Sequence, residues 1–178
     1  MRSASALHPL ARLSFLWQSL FVGLLLAAAS AHADVYGDVE RALRNGQLER
    51  ARQLSSAHLR LTPQDPQMRL LVSRLLQAEG QNTAAQETLQ SLTLEYPELP
   101  EPHNNLAVLL ASQGRFQEAL ESLQRALRAR PDYALALENL GDVHLHLALE
   151  AYRNAAQNAS PPRSLQHKLI TLAPLLAR

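Results

Sequence analysis

Few residues in this chain are equipped for chemistry, and their spacing does not suit it. His144-Leu145-His146 places two imidazoles two residues apart, a pair that could hold a metal. On a helix, residues i and i+2 do not share a face, and the pattern places no carboxylate or third histidine beside them. The sequence contains no Cys, which removes thiol nucleophiles, thiolate metal sites and disulfides together. Neither H-E-x-x-H, nor G-x-S-x-G, nor a phosphate loop occurs. Asn158-Ala159-Ser160 has the form of a glycosylation sequon, but Pro161 follows it and the stretch reads as a helix terminus. The expectation is a protein that is not an enzyme, with no catalytic, cofactor-binding or metal-binding residues.

What the chain does have is a period. Gly46, Gly80 and Gly114 are spaced 34 apart, as are Ala51, Ala85 and Ala119, and Pro63, Pro97 and Pro131. Each type has its own task. Gly accepts the positive φ that ends a first helix. Ala lets two helix backbones approach. Pro, lacking an N–H, ends the second helix. The fullest unit is 100–131. Leu106, Ala107 and Leu110 make one apolar face, Gly114 supplies a turn, and Ala119, Leu123 and Ala126 form the facing stripe.

This unit resembles the tetratricopeptide repeat, a 34-residue helix-turn-helix with the pattern W-x2-L-G-x2-Y, A-x3-F, A, P. Its positions read here as His103, Leu106-Ala107, Leu110, Ala119, Leu123, Ala126 and Pro131. The first aromatic is absent, and Leu replaces both Tyr and Phe. The resemblance implies an all-α fold, a solenoid of helical hairpins. Three full repeats are expected at about 35–63, 66–97 and 100–131.

In the first unit Val35, Val39, Ala42 and Leu43 form the inner stripe, and Ala51, Leu54 and Leu61 mark the second helix. Ser55 and His58 stand where larger apolar groups are usual. In the second, Asp65-Pro66 starts a helix with Val72 and Leu76 inward, and Ala85, Leu89 and Leu92 line its partner. The fourth unit, 134–159, loses its turn, because Ala148-Leu149-Glu150-Ala151 repeats Ala119-Leu120-Glu121-Ser122 at an offset of 29 rather than 34. Leu137, Leu140, Gly141, His144, Ala148, Ala151 and Ala155 keep a helical rhythm without a break, which predicts one merged long helix with these residues inward. A tight helix-turn-helix with a trimmed loop is the competing geometry. Ser160-Pro161-Pro162 stops it, and a cap helix follows at about 164–177, with Pro174 expected to end or kink it.

Residues 1–33 carry Arg2 and Arg12, an apolar run from Phe15 to Ala29, and Ala31-His32-Ala33. These are the three parts of a secretory signal peptide. The run is shorter than the roughly 20 residues of a membrane span. An uncleaved anchor is the alternative. Cleavage leaves 34–178 as the repeat domain, with 15 basic against 16 acidic side chains. That balance gives no footprint for nucleic acid and none for an anionic membrane surface. The expected location is exported, in a bacterial periplasm, with no membrane insertion after cleavage; the mature chain resembles small exported repeat proteins of proteobacterial envelopes.

In this family the first helices line a concave groove. The resemblance points to Tyr36, Glu40 and Arg44; to Leu70, Arg74 and Gln77; to Asn104, Val108 and Ser112; and to Glu138, Asp142, Leu145 and His146. Family members that grip a C-terminal carboxylate need Lys, Arg and Asn together there, and Arg74 with Asn104 lacks a second cation. The implied function is a scaffold that binds a peptide or helix of a protein partner in the groove. The alternative is a structural subunit of an envelope assembly that docks through the long helix 134–159, with Leu149 and Tyr152 as anchors.

Overall fold

The computed structural model describes residues 35–157, 160 and 162–177. The expected signal peptide, residues 1–33, and the last residues expected in the long helix, Asn158 and Ala159, lie outside the described residues. Within them all regular structure is helical: α1 (35–44), α2 (Leu48–Leu61), α3 (Pro66–Ala78), α4 (Asn82–Glu95), α5 (Pro100–Ser112), α6 (Phe116–Ala129), α7 (Ala134–Ala156), α8 (Ser164–Leu172) and a 3-10 turn (Ala173–Ala177). None of the described helices is long and apolar enough to cross a membrane.

The 34-residue period appears as two recurrent turns. Gly46, Gly80 and Gly114 all take positive φ, at +68°, +75° and +75°. The N–H one residue beyond each Gly bonds the carbonyl five residues back: Gln47 to Ala42, Gln81 to Leu76 and Arg115 to Leu110, at 2.8, 2.8 and 2.9 Å. The Gly N–H itself bonds the carbonyl three back. This is the Schellman arrangement, which satisfies carbonyls that a helix end would otherwise orphan. The second turn explains the prolines. Asp65 bonds Thr62, Leu99 bonds Tyr96 and Tyr133 bonds Arg130, each N–H reaching a carbonyl three residues back at 3.1–3.2 Å. Pro63, Pro97 and Pro131 sit second in these β-turns, where a φ near −65° is required and no N–H is used.

The chain divides into two compact units, one reaching Leu71 and one starting at Val72. In the first, Val39, Ala42, Ala51, Met68 and Leu71 are buried, together with Ser55 and His58. Leu61, expected with Ala51 and Leu54 to mark the second helix, lies in α2 but is 81% exposed. It is the last residue of its helix, where the chain has already turned away from the packed face.

In the second unit α6 packs on α5, α4 on α5, and α7 on both α5 and α6, so successive hairpins stack. Ala85, Leu89, Leu92, Ala119, Leu123 and Ala126 are fully buried, as the repeat register requires. Val72 and Leu76 are only half-buried, while Leu71 and Leu75, each one residue earlier, are buried on one stripe with Met68. The packed face of α3 is therefore turned by one residue, about 100° of helix.

α7 is one continuous helix of 23 residues, which decides for the merged helix against the trimmed turn. Its expected inward stripe is corrected. Ala136 and Val143 are buried, whereas Leu137, Gly141, His144 and Ala151 are exposed. The cause is the lost turn itself. Positions such as Leu137 and Gly141 normally meet the second helix of their own repeat, and here that helix has been absorbed into α7. Further along, Leu149 is buried where α8 folds back with Leu165. Lys168 lies 5.0 Å from the Tyr152 ring, so the two residues expected as external anchors serve this internal contact. The α-helix gives way to 3-10 geometry at Ala173, one residue before Pro174.

Ala148→Pro should cost about 3 kcal/mol or more, because it removes a mid-helix bond and strikes the His144 carbonyl. Gly114→Ala should cost about 1–2 kcal/mol from left-handed backbone strain alone, since a Cβ there meets nothing within 4 Å. Urea unfolding followed by far-UV circular dichroism measures both, and a neutral Ala148→Pro would contradict the continuous helix.

Candidate interaction surface

The thirteen groove positions fall into the two units and are used in different ways. In the first unit Tyr36 is no free groove residue. Its hydroxyl donates to Asp65 Oδ2, and its ring meets the His58 imidazole edge-on at 5.3 Å. His58 Nε2 lies 2.6 Å from the same carboxylate oxygen. Asp65 Oδ1 accepts the Met68 N–H at 3.1 Å, capping α3 as Asp65-Pro66 predicted. One carboxylate thus ties α1, α2 and the start of α3. Ser55 and His58 occupy places where α4 has Leu89 and Leu92; His58 joins the network there, while the Ser55 hydroxyl donates to the Arg52 carbonyl of its own helix at 3.2 Å. The deviation from the repeat pattern at His58 was the legible signal for the network.

The electrostatics follow from this geometry. The Tyr36 hydroxyl is pushed up to about 12 by its bond to the Asp65 carboxylate, by burial and by the nearby negative charge. Burial pushes the Asp65 carboxyl upward, but the bonds from Tyr36, the Met68 N–H and His58 outweigh it and leave Asp65 below its ordinary value. Beyond this cluster, Glu40 and Arg44 form an exposed pair one turn apart at 3.5 Å. Leu70 is half-buried.

In the second unit Asn104 is corrected from groove surface to interior, at 1% exposure. Its Oδ1 accepts from Asn139 Nδ2 at 2.8 Å, because α7 lies directly against α5. Gln77 donates to the Ser73 carbonyl, and Ser112 to that of Leu109. His146 is half-buried and stacks on Phe116, with centroids 4.2 Å apart, while His144 is exposed; their expected placements are exchanged. The two histidines therefore do not converge. Among the described residues no group of three His, Asp or Glu could hold a metal.

What remains on the surface is compact. Arg74 is exposed on α3 and Val108 on α5; Glu138 and Asp142 are exposed on α7, with Leu145 half-buried next to them. Leu135 shares the face of Glu138 and Asp142, at i, i+3 and i+7, and is 49% exposed. No ion pair or side-chain hydrogen bond engages Glu138 or Asp142 among the described residues. Apart from Arg74, this face of the second unit offers carboxylates and apolar side chains.

His103 stands where the repeat pattern has its first aromatic. It is buried, its Nε2 lies 3.2 Å from the Pro97 carbonyl, and its Nδ1 has no partner among the described residues. Burial pushes its pKa down, and Arg125 and Arg128 add to the effect, against the pull of the Pro97 carbonyl.

Comparison with known proteins agrees with this architecture. Residues 42–109 match the family described as tetratricopeptide repeat, and residues 109–147 match a second described as TPR repeat. The chain is thus a tetratricopeptide-repeat protein across 42–147. None of the curated proteins matches it in sequence. The crystal structure of the Sgt2 TPR domain from Aspergillus fumigatus is 17% identical, with a TM-score of 0.59 over 73% of this chain and 84% of that one. Naa15/Naa10 bound to HypK-THB is similar at 15% identity and a TM-score of 0.58; the match covers 82% of this chain but 23% of that one. MamA protein follows at 20% identity and 0.52, over 80% and 73%. At these identities the likeness is one of fold. Domains of this fold generally mediate protein–protein interaction and are generally not catalytic.

Tyr36→Phe should lower stability at neutral pH by about 1.5–3 kcal/mol, the range for a hydrogen bond to a charged group. The raised folded pKa also sets a window. The Tyr36 contribution is complete below pH 10 and is lost as pH rises from 10 toward 12, because only the unfolded chain ionises there. Denaturant titrations across that window should show this slope in the wild type and lose its Tyr36 part in Tyr36→Phe.

Proposed function

We propose that this protein is a non-enzymatic scaffold of the bacterial envelope that holds a peptide or helix of a partner protein against its first helices. The observation carrying the reading is on α5 and α7, where exposed Val108 and Leu135 accompany two carboxylates, Glu138 and Asp142, that no cation engages among the described residues. A partner segment with apolar side chains and Lys or Arg one helical turn apart complements that face. A clamp for a C-terminal carboxylate is not supported, because Asn104 is committed to Asn139. The envelope location is supported by the basic start, apolar run and Ala31-His32-Ala33 of the first 33 residues.

Photo-crosslinking from position 108 in the exported chain should capture one partner. Glu138→Lys with Asp142→Lys should abolish the adduct and leave the melting temperature within a few degrees of wild type. Undiminished crosslinking in the double variant would reject the groove reading. Exported material should begin at Asp34 by intact mass, and a cytoplasmic, full-length product would reject the envelope location.

A further inference from the structure

The fourth repeat lacks its second helix, and α7 has kept the surface that such a helix would cover. In the third repeat His103, Ala107 and Leu110 of α5 are buried, and α6 packs on this helix with Ala119, Leu123 and Ala126 inward. Thirty-four residues on, α7 presents Leu137, Gly141 and His144 in the same register. All three are exposed, Leu137 by 49%. Gly141 stands at the position where the repeat demands a small residue for close helix approach, and a Cβ there meets nothing within 4 Å. α8 does not fill the place, since its contact with α7 centres on Leu149, Tyr152 and Leu165.

We infer that this open face of α7 receives an amphipathic helix from a partner protein, which supplies in trans the second helix of the fourth repeat. The occupant's chemistry follows from two observations. The face continues the α5–α6 interface one repeat further, so its complement is a helix with a small–Leu–small stripe at the spacing of Ala119, Leu123 and Ala126. Of the exposed charges of α7, the one bordering this face is the Glu138 carboxylate, next to Leu137 and one turn before Gly141. The complementary helix is therefore basic outside its stripe. This surface is centred on a different side of α7 from Leu135 and Asp142, with Glu138 at the border of the two, and the inference does not depend on the groove reading.

α6 itself has the required character, with four Arg against two Glu across residues 115–130. A synthetic peptide of that sequence, blocked at both ends, is a direct probe. Titrated against the folded protein with labelled-peptide anisotropy, it should bind saturably. Gly141→Arg places bulk and positive charge in the middle of the face without disturbing any neighbour. It should weaken binding at least tenfold while helicity and melting temperature hold, and Glu138→Gln should weaken it severalfold. Val108→Arg, on α5, should leave it unchanged. Absence of binding at millimolar peptide, or wild-type affinity in Gly141→Arg, overturns the inference. Light scattering supplies a further arm: a concentration-dependent dimer abolished by Gly141→Arg would make a second copy the occupant and overturn it as well.

Discussion

The close approach of paired helices is the constraint on which the rest of this structure depends. Ala119 is wholly buried on α6, which packs on α5, and Ala85 and Ala51 are as fully buried at the same place in the two preceding repeats. A larger side chain there would part the helices and expose the leucines around it. Once that spacing is set, the turns have little freedom. The first helix must end within one residue, which only a left-handed glycine allows cheaply. The second must reverse into the next helix, which a proline in the β-turn pre-organises. Three residue types therefore recur at one interval because they solve one geometric problem three times.

Departures from the repeat have physical substitutes rather than simple losses. The first repeat gives up apolar volume at Ser55 and His58, and the Asp65 carboxylate joins three helices in its place. Such a buried polar network stabilises only while every member is satisfied, which makes it sensitive to pH and to single substitutions. The fourth repeat gives up its turn. α7 runs on, and α8 returns to cover its far end. The cost of that economy is a helix face built for a neighbour and left in solvent.

Side chains in groove positions do not all serve a groove. The fifth position of the repeat is an example. In α1 it is Tyr36, held by Asp65; in α5 it is Asn104, held by Asn139; in α7 it is Glu138, exposed and, among the described residues, in no ion pair or side-chain hydrogen bond. Tyr36 and Asn104 are consumed by helix-to-helix contacts, Leu70 at the same place in α3 is half-buried, and of these four Glu138 is the exposed one. A repeat protein can thus retire part of its binding surface into its own scaffold, leaving the end of the stack as the reactive part.

The sequence by itself determined the all-helical class, the register of three hairpins, the positions of both kinds of turn and the continuity of α7. All of these depend on local backbone chemistry: the sign of φ at glycine, the missing N–H of proline, and helix propensity where the fourth turn should be. It also marked Ser55 and His58 as out of place. Only the tertiary structure decided which face of each helix is covered. Helical periodicity says that Leu137, Gly141 and His144 share a side, but not whether anything packs on it. That depended on a second helix that α7 had absorbed. The burial of Asn104 and the stacking of His146 on Phe116 were illegible for the same reason, since each needs a partner from another helix, and a one-dimensional pattern does not contain the distance between them.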